Sequence, residues 1–294
     1  MAILADEHSA VIVCGIGNPL ARFQCDEMIR HGTRLAGIVG APEEMTGWMP
    51  PAGVPTFPDI ASAKSIANLA LVFNPALACK AVIAALIAAR VPVIVCLTEH
   101  VPVHDAMQVS ALARRAGAAL IGPNSSGLLS PGRAKAGFFV EDICRPGTIG
   151  VVAKSGSLAY AVLAELQSGG IGISTAVAIG GDTAKGTDFR DCLTLFEADP
   201  ETEAVVMLGE IGGDDEERAA AYLRDKPGHK PVVAFVSGRS VPPGHSMGHA
   251  GAIASRGRGD YASKRVALTE AGVQVVDNIG EIAGALVRLS PTTR

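Results

Sequence analysis

The chain has 294 residues, 48% of them hydrophobic and 18% charged, with 34 glycines and a formal net charge of -4. That length is comfortable for two cores of roughly 100–200 residues each, and the glycine supply suits a compact α/β protein with many tight strand-to-helix turns, not a disordered one. Mild acidity without any run of five like charges excludes a nucleic-acid footprint and a polybasic membrane patch.

At the N-terminus, Met1-Ala2-Ile3-Leu4-Ala5-Asp6-Glu7 has neither a basic flank nor a long apolar stretch, so it does not read as a secretory signal. Short β-branched runs then alternate with Ala/Leu-rich helical stretches, the pattern of parallel sheets with crossover helices. The first half predicts strands at Ala10–Cys14, Leu35–Val39, Leu69–Phe73, Val93–Leu97 and Ala119–Ile121, with helices near Asp26–His31, Ala78–Ala89 and Asp105–Ala116. Its most apolar region, Leu69 to Leu97, is broken by Pro75, Lys80, Arg90 and Pro92 and falls short of the ~20 residues that a membrane span needs. The pattern loosens from Gly122-Pro123-Asn124 through Arg145-Pro146-Gly147, which divides the chain into a first domain over 1–124 and a second over 125–294, with 125–147 as connecting segment. The second series predicts strands at Ile149–Ala153, Ser174–Ile179, Ala204–Leu208, Val232–Val236 and Gln274–Val276, with helices at Ser157–Gln167, Asp188–Ala198, Asp215–Leu223 and Ala262–Ala271. The expected fold is α/β: two doubly wound, Rossmann-like or flavodoxin-like domains with parallel sheets, ligands gathering at the carboxyl ends of strands. The cysteines Cys14, Cys25, Cys79, Cys96, Cys144 and Cys192 form no CxxC pair, so buried reduced thiols in a cytoplasmic protein are expected, with no metal site.

The first strand leads into Gly15-Ile16-Gly17-Asn18-Pro19-Leu20, which begins as a G-x-G-x-x-G dinucleotide fingerprint but has Leu20 where the third glycine belongs. Two glycines still let backbone approach a phosphate, so a nucleotide-containing ligand such as CoA and a plain tight turn both remain open. In the second half, strand Ile149–Ala153 runs into Lys154-Ser155-Gly156-Ser157, small hydroxyl residues at a helix start. Exposed N–H groups and the helix dipole attract an anion there, although a plain serine cap reads the same way. Most histidines, such as His8, His31 and His229, read as surface residues. His249 differs, because Met247-Gly248-His249-Ala250-Gly251-Ala252-Ile253 surrounds it with residues lacking bulk. Strand Ala204–Leu208 delivers Gly209-Glu210-Ile211-Gly212-Gly213, and a carboxylate there gains meaning if it faces His249, since bonding one ring nitrogen fixes the tautomer and leaves the other nucleophilic.

Together, Gly209-Glu210-Ile211-Gly212-Gly213, Met247-Gly248-His249-Ala250-Gly251-Ala252-Ile253, Gly180-Gly181-Asp182 and Gly122-Pro123-Asn124 resemble, in order and spacing, the alpha subunit of succinyl-CoA synthetase. The resemblance implies a reversible acyl-CoA synthetase reaction through an acyl phosphate and a phosphorylated His249, ending in thiolysis by CoA. It implies that Glu210 orients the histidine and that Ser155, Gly156 and Ser157 cradle the phosphoryl group. Phe73-Asn74-Pro75 and Leu97-Thr98-Glu99 match the family's CoA-contacting turns, to which Gly15, Gly17 and Asn18 are added. Asn124, Ser125 and Tyr160 are expected near the acyl group. ATP or GTP and Mg²⁺ would be held mainly by a separate beta subunit of ATP-grasp type. The family's Thr, Ser and Gln after the first strand and its lysine after the second are replaced here by Gly17-Asn18-Pro19-Leu20 and Ala41-Pro42-Glu43-Glu44, whose carboxylates would repel phosphate. The family's Cys-Pro has become Ser125-Ser126, so an acid other than succinate, malate for example, is expected. The alternatives are a non-catalytic CoA- or nucleotide-binding regulatory subunit and a Rossmann oxidoreductase. Leu20 and the lack of an acid at the end of the second strand, where Gly40-Ala41-Pro42 stands, disfavour the oxidoreductase.

Overall fold

The computed structural model of the chain describes residues 2–63, 66–242, 244–253 and 259–289. They form two compact units, the first over 4–139 and 184–187, the second over 2–3, 140–183 and 188–289.

In the first unit the chain runs β1 Ala10–Cys14, α1 Pro19–Arg30, β2 Arg34–Val39, β3 Thr56–Phe57, α2 Ile60–Ala63, β4 Leu69–Val72, α3 Ala76–Ala88, β5 Val93–Cys96, α4 Val103–Ala116 and β6 Ala119–Ile121. The sheet order is β3-β2-β1-β4-β5-β6, and every strand pair in it is parallel. The central strands β1 and β4 are buried along their whole length, which is why they read as unbroken apolar runs and not as alternating ones. Ile12, Val72 and Ile94 of the sheet meet Ile83 and Leu86 of α3 and Val109 of α4 in one core. Each fully buried isoleucine or leucine contributes about 1.5–3 kcal/mol. The chain reverses direction across the sheet between β1 and β4, and the crevice beyond their carboxyl ends is where doubly wound sheets bind their ligands.

The second unit runs β9 Pro146–Ala153, α5 Gly156–Ser168, β10 Ile173–Ala178, α6 Phe189–Ala198, β11 Ala204–Glu210, α7 Asp215–Arg224, β12 Val232–Ser237, α8 Tyr261–Glu270, β13 Gln274–Val276 and α9 Ile282–Leu289. Its parallel strands lie in the order β13-β12-β11-β9-β10, the flavodoxin-like 2-1-3-4-5 arrangement read from the other edge. Here the switch point falls between β9 and β11. Among the described residues no helix is long and apolar enough to cross a membrane.

Several local expectations are corrected. The first helix starts at Pro19, not Asp26, because Asn18 caps it by accepting a bond from Leu20 N–H and Pro19 fits the first helical position. The segment from 125 on is not a bare connection: β7 Gly127–Ser130 and β8 Ala134–Gly137 form an antiparallel hairpin that packs with the first unit. Strand β11 continues through Glu210, so that residue ends the strand and does not follow it. The short β3 and α2 and the final α9 have no counterpart in the sequence reading.

Candidate active site and cofactor cavity

In the second unit, Glu210 is delivered by the last position of β11, where its side chain is 4% exposed, and Oε2 lies 2.7 Å from Nδ1 of His249. The histidine sits in a tight turn in which His249 N–H donates to Met247 O and Ala252 N–H donates to His249 O. Ala252 anchors that turn by packing with Ile211, next to Glu210, and with Met247 and Tyr261. Gly181, beyond β10, faces the ring so closely that a Cβ on it would lie 2.2 Å from the imidazole. Since β9 lies between β11 and β10, the imidazole is held from both flanks of the β9–α5 turn. That turn is Lys154-Ser155, followed by Gly156 and Ser157 at the start of the 13-residue α5; Ser155 caps the helix, its Oγ accepting from Leu158 N–H at 3.3 Å. The N–H groups of this helix start and its dipole favour an anion, each contribution being worth about 0.3–1 kcal/mol when exposed and up to ~2 when partly buried.

Beneath the pair lies a buried ionic cluster. Lys154 Nζ stands 2.9 Å from Glu216 Oε1 and 3.2 Å from Asp215 Oδ2, while Lys264 Nζ binds Glu216, Glu217 at 2.9 Å and the Gly213 carbonyl at 3.1 Å. Glu216 Oε1 also accepts the Glu210 N–H at 3.1 Å. Burial alone works against the charge of Lys154, yet Glu216 and Asp215 outweigh it and raise its pKa above the ordinary lysine value. Burial likewise opposes ionisation of Glu216, and Lys154 and Lys264 overcome it, holding the carboxyl below the usual glutamate range.

In the first unit a cavity of about 470 Å³ opens at the β1/β4 switch point. Gly15, Gly17 and Asn18 line it from the β1–α1 turn, Phe73, Asn74 and Pro75 from the end of β4, and Leu97, Thr98 and Glu99 from the end of β5. Gly15 has φ +85°, and a Cβ there would strike Asn74 N at 2.4 Å, so the two turns close on each other only through a glycine. Thr98 Oγ1 donates to Asn74 O at 2.8 Å and fixes the third turn. Leu20, Glu44 and Phe138 complete the lining. Asn74 Oδ1 is buried without a hydrogen-bond partner among the described residues, an acceptor suited to an amide N–H of the kind that pantetheine carries. The residues therefore fit CoA on size, on close backbone approach and on this acceptor. Against it stands charge: the ionisable side chains lining the cavity, Glu44 and Glu99, are both carboxylates. A 3-10 turn at Pro42–Met45 folds Glu44 back so that it accepts from Ala41 N–H at 3.0 Å and approaches Gly17, which places an acid beyond β2 after all.

The remaining predicted contacts belong to different units, each with its own surroundings. Asn124, at φ +58°, donates its N–H to Thr98 O, and buried Ser125 accepts Gly127 N–H through Oγ, both in the first unit. Tyr160 lies on α5 in the second, half-buried, its hydroxyl pKa raised by burial and by Cys144. Sequence reasoning assigned no role to Lys154, Glu216 or Lys264, whose pairing spans more than a hundred residues, nor to Leu20 and Phe138 in the cavity. Gly181 had its signal in the Gly180-Gly181-Asp182 motif, without a role attached.

Comparison with known proteins follows the same division. Residues 6–100 match the family model described as CoA binding domain and residues 152–274 that of CoA-ligase, so fold and site define a CoA-ligase-type chain. It is 43% identical over 287 residues, 96% of this chain and 98% of the relative, to subunit alpha 2 of the ADP-forming succinate–CoA ligase of Archaeoglobus fulgidus. It is also 43% identical over 278 residues, 94% of this chain and 92% of the relative, to the corresponding alpha subunit of Methanothermobacter thermautotrophicus. The chain belongs to the succinate–CoA ligase alpha-subunit family. Among solved structures, an ATP citrate lyase of Methanosaeta concilii in complex with (3S)-citryl-CoA shares the fold, with a TM-score of 0.88 and 23% identity over 99% of this chain. This chain spans 51%, about half, of that protein's length.

Proposed function

We propose that this chain is the alpha subunit of a nucleotide-dependent acyl-CoA synthetase in which His249 carries a phosphoryl group between nucleotide and a small carboxylic acid. The observation that carries the reading is the 2.7 Å contact of His249 Nδ1 with Glu210 Oε2 at the β9/β11 switch point. With the carboxylate accepting from Nδ1–H, the imidazole lone pair is placed at Nε2. The terminal P–O bond of the nucleotide breaks as Nε2 takes the phosphoryl group, and the positive charge that develops on the ring is balanced by Glu210. The N–H groups at Gly156 and Ser157 stabilise the phosphoryl oxygens. The P–N bond then breaks in favour of a substrate carboxylate oxygen, which gives an acyl phosphate. Bound CoA supplies the thiol that takes the acyl group and releases inorganic phosphate.

Gly15, Gly17, Asn18, the Phe73–Pro75 turn and the Leu97–Glu99 turn would hold CoA in the first unit, while the second unit carries the phosphohistidine chemistry. Nucleotide and Mg²⁺ belong mainly to an ATP-grasp-type beta subunit. Asn124, Ser125 and Tyr160 are assigned to the acyl group, and Ser126, half-buried beside Ser125, gives a hydroxyl for a substituted acid. Reduced thiols suit a cytoplasmic setting. The test is to incubate the subunit pair with labelled nucleotide and Mg²⁺. Acid-labile, alkali-stable phosphate is expected on this chain and absent from His249→Ala; label that survives in that variant would falsify the assignment.

A further inference from the structure

We propose that Glu216 is a positioning residue for the His249–Glu210 pair: its buried carboxylate grips the backbone of Glu210 and so fixes where that side chain meets the imidazole. The proposal rests on the phosphohistidine reading of the site and adds to it the element that keeps the pair in register.

The carboxylate of Glu216 is fully buried, at 0% exposure, and Lys154 Nζ bridges its two oxygens, 2.9 Å from Oε1 and 3.2 Å from Oε2. Oε1 also receives the Glu210 N–H at 3.1 Å, and Oε2 also receives Lys264. Gly209 leaves room for this approach, since a Cβ there would stand 2.7 Å from Oε1. On the far side of Glu210, Lys264 also donates to Gly213 O at 3.1 Å. The four residues Glu210-Ile211-Gly212-Gly213 are therefore pinned at both ends by one cluster whose centre is Glu216.

Burying a carboxylate between two ammonium groups is a poor source of net stability, because desolvation cancels much of the attraction. Such a cluster specifies geometry better than it stabilises, and here the geometry it specifies includes the functional glutamate. Lys154 makes the need concrete. It lies within electrostatic reach of Glu210, and Asp215 at 3.2 Å together with an acceptor oxygen at position 216 holds that ammonium back from the Glu210 carboxylate. Lys154 also precedes Ser155, so the same carboxylate tethers the strand end that leads into the helix start at Gly156 and Ser157.

Two variants of the full-length chain separate gripping from charge balance. Glu216→Asp keeps the negative charge but retracts the oxygens by one methylene. The pair Lys264→Gln with Glu216→Gln removes one charge of each sign and keeps both an N–H donor toward Gly213 O and an acceptor oxygen at the original reach. Two readouts are taken. One is the histidine ¹⁵N spectrum, in which His249 of the wild type should show the single tautomer with hydrogen on Nδ1. The other is the rate at which phosphoramidate phosphorylates His249, its P–N bond breaking as ammonia leaves and the phosphoryl group bonds Nε2. In Glu216→Asp a mixed tautomer and a rate lowered by about tenfold or more are expected, with calorimetric binding of CoA unchanged. The glutamine pair should keep the single tautomer and stay within roughly threefold of the wild-type rate, the margin left by an interaction that is not lost. Glu216→Asp with the wild-type tautomer and rate overturns the proposal, and so does a folded glutamine pair that loses both. Should Glu216→Asp fail to fold, the glutamine pair alone decides on the same criterion. A wild-type chain that takes no phosphate at His249 sinks the phosphohistidine reading instead, and the tautomer spectrum still judges Glu216.

Discussion

Gly181 and Glu210 act on one imidazole in different ways. The glycine admits the ring, because any Cβ at that position would occupy its space, and on the proposed reading the glutamate, 2.7 Å from Nδ1, sets the ring proton there. Glu210→Gln separates orientation from charge. A glutamine oxygen can still accept from Nδ1–H, so the tautomer and the fold survive, but the positive charge that develops on phosphorylation loses its counter-ion. The expected result is a fall of about 10–100-fold in the single-turnover rate of phosphate appearance on His249, with an unchanged circular dichroism spectrum. An undiminished rate would place the charge stabilisation elsewhere. At this scale the sequence was informative where side chains sit in short motifs: Glu210 and His249 were singled out from theirs, and the structure brings the two within 2.7 Å. Lys154, Glu216 and Lys264 were not legible, because an ionic cluster assembled from the β9–α5 turn, α7 and α8 has no local spacing to betray it.

Elements tell the same story through their ends. Long apolar strands such as β1 and β11 were found because burial on both faces leaves no polar interruption, whereas the start of α1 was missed because Asn18-Pro19 reads equally well as a turn and as a cap followed by a first-turn proline. The 3-10 turn after β2 has a functional side. By returning Glu44 to the cavity it sets a carboxylate where a ligand rich in phosphate is expected, and like charges repel by about 3 kcal/mol at 5–6 Å in an intermediate dielectric, less with solvent screening. Glu44→Lys replaces that repulsion by attraction, so CoA should bind tighter by roughly tenfold or more, read by calorimetry. Because the same carboxylate accepts from Ala41 N–H, the variant should also lose about 1 kcal/mol of stability, visible as a lower melting temperature of the first unit. Unchanged CoA affinity would mean that the phosphates stay clear of Glu44.

At the scale of the molecule, each unit presents its candidate site at a topological switch point, the cavity between β1 and β4 in one and the His249–Glu210 pair at β9/β11 in the other. Strand order could not be read from the chain, since β-α alternation is common to the Rossmann and flavodoxin arrangements; the order is settled by which edge each crossover packs against. The sequence holds no G-x-x-x-x-G-K-[ST] cradle for a nucleoside triphosphate, while its CoA-ligase relatives carry the name of one subunit, alpha. On the proposed phosphohistidine reading, the nucleotide donor is expected from a second chain. Reconstitution measures this directly. The purified chain with ATP or GTP, Mg²⁺, CoA and a panel of small acids should yield no acyl-CoA, whereas addition of its beta-type partner should restore turnover. Within the panel, a hydroxylated acid such as malate should exceed succinate in kcat/KM if the Ser125-Ser126 hydroxyls face the acyl group, because a site built to bond a hydroxyl penalises the substrate that lacks it. Turnover by the isolated chain would overturn the two-subunit reading, and a clear preference for unsubstituted succinate would overturn the assignment of the serines while leaving the partnership intact.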